Sequence, residues 1–261
     1  MKYLGSKAKI ADEILPIILA NRKPWQLYVE PFVGGANTLI RVTGNRLASD
    51  KNPFLIALLI ALRDGWEPPA VVTEGEYKAA MVKSKSYDRL RWTPEQLNTE
   101  IARIGYIGLA CSFGAKFFGG IARKAKRTTR RETDVIEFDS RQAFMDHAPA
   151  LQGVEFRCGS FMSLEVPGSS IVYCDPPYEA TTGYNYSIGN FSEFWAWCDG
   201  LVERGCEVFV SGYHLERRWR AVWQRVVTTN VAIADGLKKL ATERTELLMQ
   251  REDQWQAGFA G

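Results

Sequence analysis

Asp175-Pro176-Pro177-Tyr178 is the sharpest chemical feature of this 261-residue chain. It ends a short apolar run, Ser170-Ile171-Val172-Tyr173-Cys174, that reads as a buried strand. Two consecutive prolines fix φ and force an extended, rigid path, and neither has an N–H to donate. An acid, a proline carbonyl and an aromatic ring are thereby held as one stiff unit. That set suits an exocyclic amine on a flat base. Asp175 and the Pro176 carbonyl accept its two N–H bonds and draw its lone pair out of conjugation, while Tyr178 stacks on the ring. Transfer of a group to that nitrogen then gains its rate mainly from orientation and electrostatics. Asp175 need not be a strong base, because the amine becomes acidic once alkylated. A turn that merely closed a core strand would require neither the acid nor the tyrosine.

Two further acids have the same placement. Glu30 follows Leu27-Tyr28-Val29 and precedes the pair Gly34-Gly35, and Asp50 follows Arg46-Leu47-Ala48-Ser49. Open α/β sheets bind ligands beyond the carboxyl ends of their strands, and a spacing of twenty residues suits an acid that grips ribose hydroxyls. The glycine turn departs from GxGxxG and is followed by no GK[ST], which disfavours triphosphate hydrolysis. An adjacent carboxylate would repel a pyrophosphate, so a nucleoside without phosphates fits better.

The elements that must position these acids form an α/β pattern. Residues 8–20 have near-helical apolar spacing, with Pro16 expected to kink or divide them. Strands are expected near 27–29, 46–49, 154–158, 170–174 and 207–211, with helices beginning at 36–40 and covering 53–63 and 191–204. Segments around 226–227 and 246–249 are expected to pair antiparallel and complete a mixed sheet. From Asp64 the composition shifts toward Lys, Arg, Gly and Thr. Residues 65–150 therefore read as an insertion or second small domain, mainly helical over 73–108, with the sheet domain formed by 1–64 and 151–261.

The net charge of +3 does not by itself imply nucleic acid. Its distribution is more informative: Arg123, Lys124, Lys126, Arg127, Arg130 and Arg131 put six positive charges in nine residues. Such a run beside the aromatics Phe113, Phe117 and Phe118 has the make-up of a phosphate-contacting loop with a ring to wedge or stack. Five scattered cysteines without CxxC, and two histidines, disfavour a disulfide framework or zinc site. No apolar stretch of membrane-spanning length and no leader pattern is apparent. The expectation is a cytoplasmic protein with no membrane partner and no metal in its chemistry.

Taken together, the motifs resemble the Dam-like, D12 class of DNA adenine methyltransferases, in the family's order and over almost the whole chain. The resemblance implies a Rossmann-like fold that uses S-adenosylmethionine and acts on double-stranded DNA. It would methylate the N6 amine of an adenine flipped from the stack. Lys2-Tyr3-Leu4-Gly5-Ser6-Lys7 is similar to the segment that closes over the cofactor's methionine end, which implies roles for Tyr3 and Lys7. Tyr28 to Ala36, with Glu30, Phe32 and Gly34, resembles the motif that holds the cofactor. Ala48 to Asn52 resembles the next, its acid Asp50 on the ribose hydroxyls. Tyr173 to Tyr178 matches the catalytic motif, which implies Asp175, Pro176 and Tyr178 as catalytic residues, with Asp175 also facing the cofactor. Phe209 to His214 is similar to the loop bordering the target base. The segment from Gly105 and Tyr106 to Gly120 resembles the recognition region, so 65–150 would recognise DNA, with Tyr106 and Phe117 among its contacts.

The chain departs from the family pattern at Cys158-Gly159-Ser160-Phe161, where an aspartate commonly precedes the aromatic. Ser160 would bond the cofactor's adenine more weakly, with Phe161 packing on the ring. The usual Asn after Tyr106 and the arginine-rich loop near Cys111 are also missing, so a GATC preference does not carry over. Methylation of cytosine N4 or of RNA adenine would use similar equipment, although cytosine-specific relatives tend to carry serine in place of Asp175. A catalytically silent DNA-binding relative would show damage at Glu30, Asp50, Asp175 or Tyr178, and these are intact. An NAD-type oxidoreductase would need a tight GxGxxG. One-base chemistry needs no partner subunit, so a monomer is expected.

Overall fold

The structure, a computed structural model, describes residues 1, 3, 5–87, 92–122, 135–137, 140–177, 190–232 and 239–254. A seven-stranded sheet forms its centre. In chain order its strands are β1 (Tyr28–Glu30) and β2 (Arg46–Asp50), then β5 (Val154–Cys158), β6 (Ile171–Cys174), β7 (Glu207–Gly212), β8 (Trp219–Ala232) and β9 (Lys239–Arg251). They lie in the order β5-β2-β1-β6-β7-β9-β8. The first five are parallel, whereas β9 runs antiparallel to both β7 and β8. The expected mixed sheet and closing hairpin are present, with Val226 opposite Thr245 and Val227 opposite Arg244. Strand order reverses between β1 and β6, and there the loops beyond neighbouring strands part and open a crevice.

One sheet face is covered by α1 (Ala11–Ile18) and α2 (Pro53–Arg63), and the other by α6 (Phe191–Glu203). Asn52 caps α2, accepting from the N–H groups of Phe54 and Leu55 at 3.1 and 3.3 Å. Pro53 stands at the first turn, where its missing N–H costs nothing. Nine of the eleven α2 residues are buried, because the helix lies between the sheet and the inserted segment.

That segment comprises β3 (Val71–Thr73), α3 (Glu74–Ser86), α4 (Thr99–Ala110), β4 (Val135–Glu137) and α5 (Ser140–Met145), with β3 and β4 paired antiparallel. It shares the core of the sheet: Tyr77, Ile101, Ile104 and Ile107 belong to one cluster with Phe54, Leu55 and Leu58. Gly105 lets α4 cross α2 closely. A Cβ there would stand 2.1 Å from the Phe54 carbonyl oxygen.

Two local expectations are corrected. No helix begins at residues 36–40; only a 3-10 turn, Leu39–Arg41, follows β1. Ala36 adopts φ +53, and Asn37 hydrogen-bonds to the N-terminal segment, so this stretch is held in a loop conformation. Pro16 does not divide α1, which runs unbroken through it and ends two residues later.

Candidate active-site cleft

Beyond the carboxyl ends of β1, β2 and β6 lies a cleft of about 990 Å³, its open mouth included. The residues expected at a cofactor site all line it: Tyr3, Lys7, Glu30, Phe32, Gly34, Asp50, Ser160, Phe161 and Asp175. Pro176 lines it as well. Residues spread over some 170 positions converge because parallel strands deliver their carboxyl ends to one edge of the sheet.

The glycine turn serves the N-terminal segment directly. A Cβ on Gly35 would lie 2.6 Å from the Tyr3 Cβ, and one on Gly34, at φ +48, would lie 2.9 Å from the Tyr3 ring. Asn37 fixes the same segment by donating through Nδ2 to the Ser6 Oγ at 2.9 Å and the Met1 carbonyl at 3.1 Å. The Lys7 carbonyl then accepts from the Ala11 N–H at 2.9 Å, at the entrance to α1. Lys7 is thus held from both sides before its side chain enters the site.

Its ammonium is buried between two carboxylates, 3.0 Å from Asp175 Oδ1 and 2.8 Å from Glu246 Oε1. Burial alone would depress the Lys7 pKa, but Asp175 and Glu246 outweigh it and raise the pKa well above the usual range. Lys7 therefore stays charged at every physiological pH.

Glu30 is 3% exposed, and its Oε1 accepts from the Tyr28 hydroxyl at 2.8 Å. Burial pushes Glu30 up to about 8; the Tyr28 hydrogen bond opposes the rise, and the charge of Asp175 adds to it. Asp50 keeps part of its surface open to the cleft, yet the protein around it pushes it up to about 6. The backbone N–H groups of Asn52 and Gly34 bond its two oxygens at 2.9 and 3.1 Å and limit that rise. The Tyr173 hydroxyl is buried against Ser211 Oγ at 2.8 Å and is raised far above its ordinary pKa, by burial and then by Asp175.

On one wall of the cleft the rings of Phe32 and Phe161 lie 5.5 Å apart at 42°, both packed against Phe194. Ser160 caps the turn that presents Phe161, its Oγ accepting from the Met162 N–H at 3.3 Å. An aromatic wall, a partly open carboxylate and a buried acidic cluster are a suitable set for a purine nucleoside carrying positive charge. Among the described residues no group of His, Cys, Asp and Glu could hold a metal ion. No helix there is long and apolar enough to cross a membrane.

The inserted segment departs from expectation. Tyr106, read as a DNA contact, is fully buried, its ring edge-on to Trp66 and Phe144 at 6.4 and 5.3 Å. Its hydroxyl has no hydrogen-bond partner among the described residues. Phe117 stacks on Phe54 at 5.2 Å, and Phe118 packs against Phe117 and Tyr77. Of the three loop aromatics it is Phe113 that faces solvent, 76% exposed beside Gly114 at φ +64. Tyr178 and the basic residues Arg123, Lys124, Lys126, Arg127, Arg130 and Arg131 lie outside the described residues.

Glu246 was missed by the sequence reading. The available signal was a lone acid opening the apolar run Leu247-Leu248-Met249. Such a residue reads equally well as a solvated strand end.

The family model described as D12 class N6 adenine-specific DNA methyltransferase matches residues 3–209. Among curated proteins, the Type II methyltransferase M.FokI of Planomicrobium okeanokoites is 24% identical over 198 residues. That match covers 73% of this chain and 30% of the relative, so the chain spans under a third of that protein's length.

Proposed function

The chain belongs to the D12 class N6 adenine-specific DNA methyltransferase family, and from that premise we propose that it methylates the exocyclic N6 amine of an adenine flipped out of duplex DNA. The observation that carries this reading is the position of Asp175-Pro176 in the same cleft as Glu30 and Asp50, with the carboxylate already gripped by Lys7. The acceptors for a target amine thus stand beside the groups suited to a charged nucleoside.

S-adenosylmethionine, when bound, supplies a methyl group on positively charged sulfur. Asp50 is assigned to the ribose hydroxyls, the Phe32 and Phe161 rings to the adenine, and Glu30 to the positive charge at the methionine end. Tyr3 and Lys7, on the segment pinned to the glycine turn, close that end. Asp175 and the Pro176 carbonyl accept the two N–H bonds of the target amine and turn its lone pair toward the methyl carbon. As the carbon–nitrogen bond forms and the carbon–sulfur bond breaks, the nitrogen gains positive charge beside Asp175. It then releases one proton to solvent. Stacking on the target base is assigned to Tyr178 from the sequence motif. Extrusion of the base leaves a gap in the duplex, and among the described residues Phe113 is the aromatic best exposed to meet it.

The test is incubation of the purified chain with unmethylated DNA and isotope-labelled S-adenosylmethionine, followed by digestion and separation of the nucleosides. Label in N6-methyl-2′-deoxyadenosine is the expected result. Label in N4-methylcytosine would move the activity to the other exocyclic amine, and absence of label from DNA would overturn the reading.

A further inference from the structure

Lys7 joins two strands that are not neighbours. Asp175 follows β6 and Glu246 lies on β9, and β7 runs between them. Their backbones are therefore two strand spacings apart, roughly 10 Å, with the buried ammonium bridging the gap at 3.0 and 2.8 Å. Glu246 is 6% exposed and enters at the carboxyl edge because β9 is antiparallel, its neighbour Leu247 pairing with Gly212 at the end of β7. A buried glutamate without a role would be a poor choice there, since an ionised carboxylate is costly to bury unless paired.

We propose that Glu246 is a positioning residue for methyl transfer, holding Lys7 so that Asp175 stays oriented and the cluster keeps a net negative charge toward the target amine. This inference rests on the function proposed above. Lys7 with Asp175 alone would be a neutral pair, facing an amine that becomes positive as the methyl arrives. With Glu246 the three groups sum to −1, and the ammonium is shared between two carboxylates. Lys7 can then orient Asp175 without cancelling its charge.

Among the described residues, the groups facing Asp175 include Lys7 from the N-terminal segment, Glu30 from β1, Tyr173 from β6 and Tyr213 beyond β7. Arg225 stands opposite Glu246 in the strand ladder, and its guanidinium pairs with Glu13. E246Q replaces none of these groups, but it removes one negative charge beside Lys7, Tyr173 and Tyr213. Loss of a neighbouring carboxylate, with Lys7 committed more fully to Asp175, lowers the pH at which Asp175 takes up a proton.

The experiment is single-turnover methylation of duplex DNA by the full chain, as wild type, E246Q and E246D, across pH, with S-adenosylmethionine affinity measured in parallel. E246Q is expected to slow transfer roughly tenfold to a hundredfold, somewhat less than the loss of a group aimed directly at the reacting atoms. Cofactor affinity should change by less than about threefold, and the acid limb of the rate profile should move down by roughly half a pH unit or more. E246D keeps the charge, so its acid limb should stay at the wild-type position and part of the rate should return. An active wild type matched by E246Q in both rate and acid limb overturns the inference alone. A wild type that transfers no methyl overturns the inference together with the proposed function. If E246Q does not fold, E246D decides. Slowed transfer at unchanged cofactor affinity supports the role, and a wild-type rate overturns it.

Discussion

At the carboxyl edge of the sheet, Lys7, Glu30, Asp175 and Glu246 are ionisable groups held in place by ion pairs or hydrogen bonds inside protein. The inserted segment is built in the opposite way. Its aromatic residues Tyr77, Phe117 and Phe118 pack in series onto Phe54 of α2, Tyr106 packs against Trp66 and Phe144, and its ion pairs, such as Arg103 with Glu76, lie at the surface. In the function proposed above, the first region does its chemistry with buried polar groups, and the second meets DNA with surface groups and buries the rest as core. A side chain in the cleft should therefore fail in catalysis before it fails in folding, and a buried ring in the insertion should do the reverse.

Asp175→Ala offers the largest effect by which to break that contrast. It should reduce methyl transfer by about a thousandfold or more, as expected for loss of a group aimed at the reacting nitrogen. S-adenosylmethionine and DNA affinities should stay close to wild type, and Lys7 keeps Glu246 as a partner. Calorimetric titration beside the labelled-methyl assay separates the two quantities. Cofactor affinity falling as steeply as turnover would remove Asp175 from the amine and assign it to the cofactor.

A paired comparison within the insertion comes next. Tyr106→Ala should cost roughly 3–5 kcal/mol of stability, the usual range for deleting a large buried ring. Tyr106→Phe should be neutral or mildly stabilising, because it removes a buried hydroxyl without a partner among the described residues. Phe113→Ala should leave the melting temperature unchanged and weaken DNA binding by about 1 kcal/mol or more, the scale of one base–aromatic stack. Denaturant unfolding and fluorescence anisotropy with duplex DNA measure both sides. If Tyr106→Phe lost DNA affinity at full stability, the buried ring would have to emerge on binding, and the two regions would differ less than their packing implies.

The contrast also explains what the sequence disclosed. Glu30, Asp50 and Asp175 were readable because each closes a short apolar run, and parallel topology carries such ends to one place. Glu246 was not readable, because it meets Lys7 only through the antiparallel entry of β9, 239 residues along the chain. The helix expected after β1 failed on local grounds. Ala36 to Ile40 has helical composition, but Asn37 is engaged by the N-terminal segment and Ala36 is left-handed. Tyr106 was misassigned because a tyrosine on a helix looks the same in sequence whether its ring faces DNA or Phe144. Exposure distinguishes the two cases, and it assigns the solvent-facing ring to Phe113.

The basic run, read from the sequence as a set of phosphate contacts, offers a test with a smaller effect. Neutralising Arg127, Arg130 and Arg131 together should weaken DNA binding and flatten its salt dependence, by up to about 0.9 in the log–log slope for each phosphate that the chain no longer neutralises. Turnover at saturating DNA should change little, since none of the described residues that line the cleft is altered. An unchanged slope would take these residues off the phosphates.

The smallest effect concerns Glu30, where the charge of the cleft meets the stability of the fold. Its pKa in the folded chain, about 8, lies above the ordinary 4.5, because burial disfavours the carboxylate. The sign follows from linkage: the stability Glu30 contributes is fully present below about 4.5 and is lost as pH rises through about 8. Glu30→Gln should therefore remove a fall in stability across that window. The same raised pKa governs binding of a positively charged cofactor, which favours the carboxylate and must displace the proton. Affinity of the wild type for S-adenosylmethionine should then rise roughly tenfold between pH 6.5 and 8.5, with proton release on binding. Tyr28, Tyr173 and Asp175, which face Glu30, do not reverse that direction, since both tyrosines remain protonated throughout and Asp175 is paired with Lys7. Titration calorimetry in buffers of different ionisation enthalpy counts the proton. A flat affinity profile, or one retained in Glu30→Gln, would mean that the cation is held elsewhere and that Glu30 serves only to anchor Tyr28.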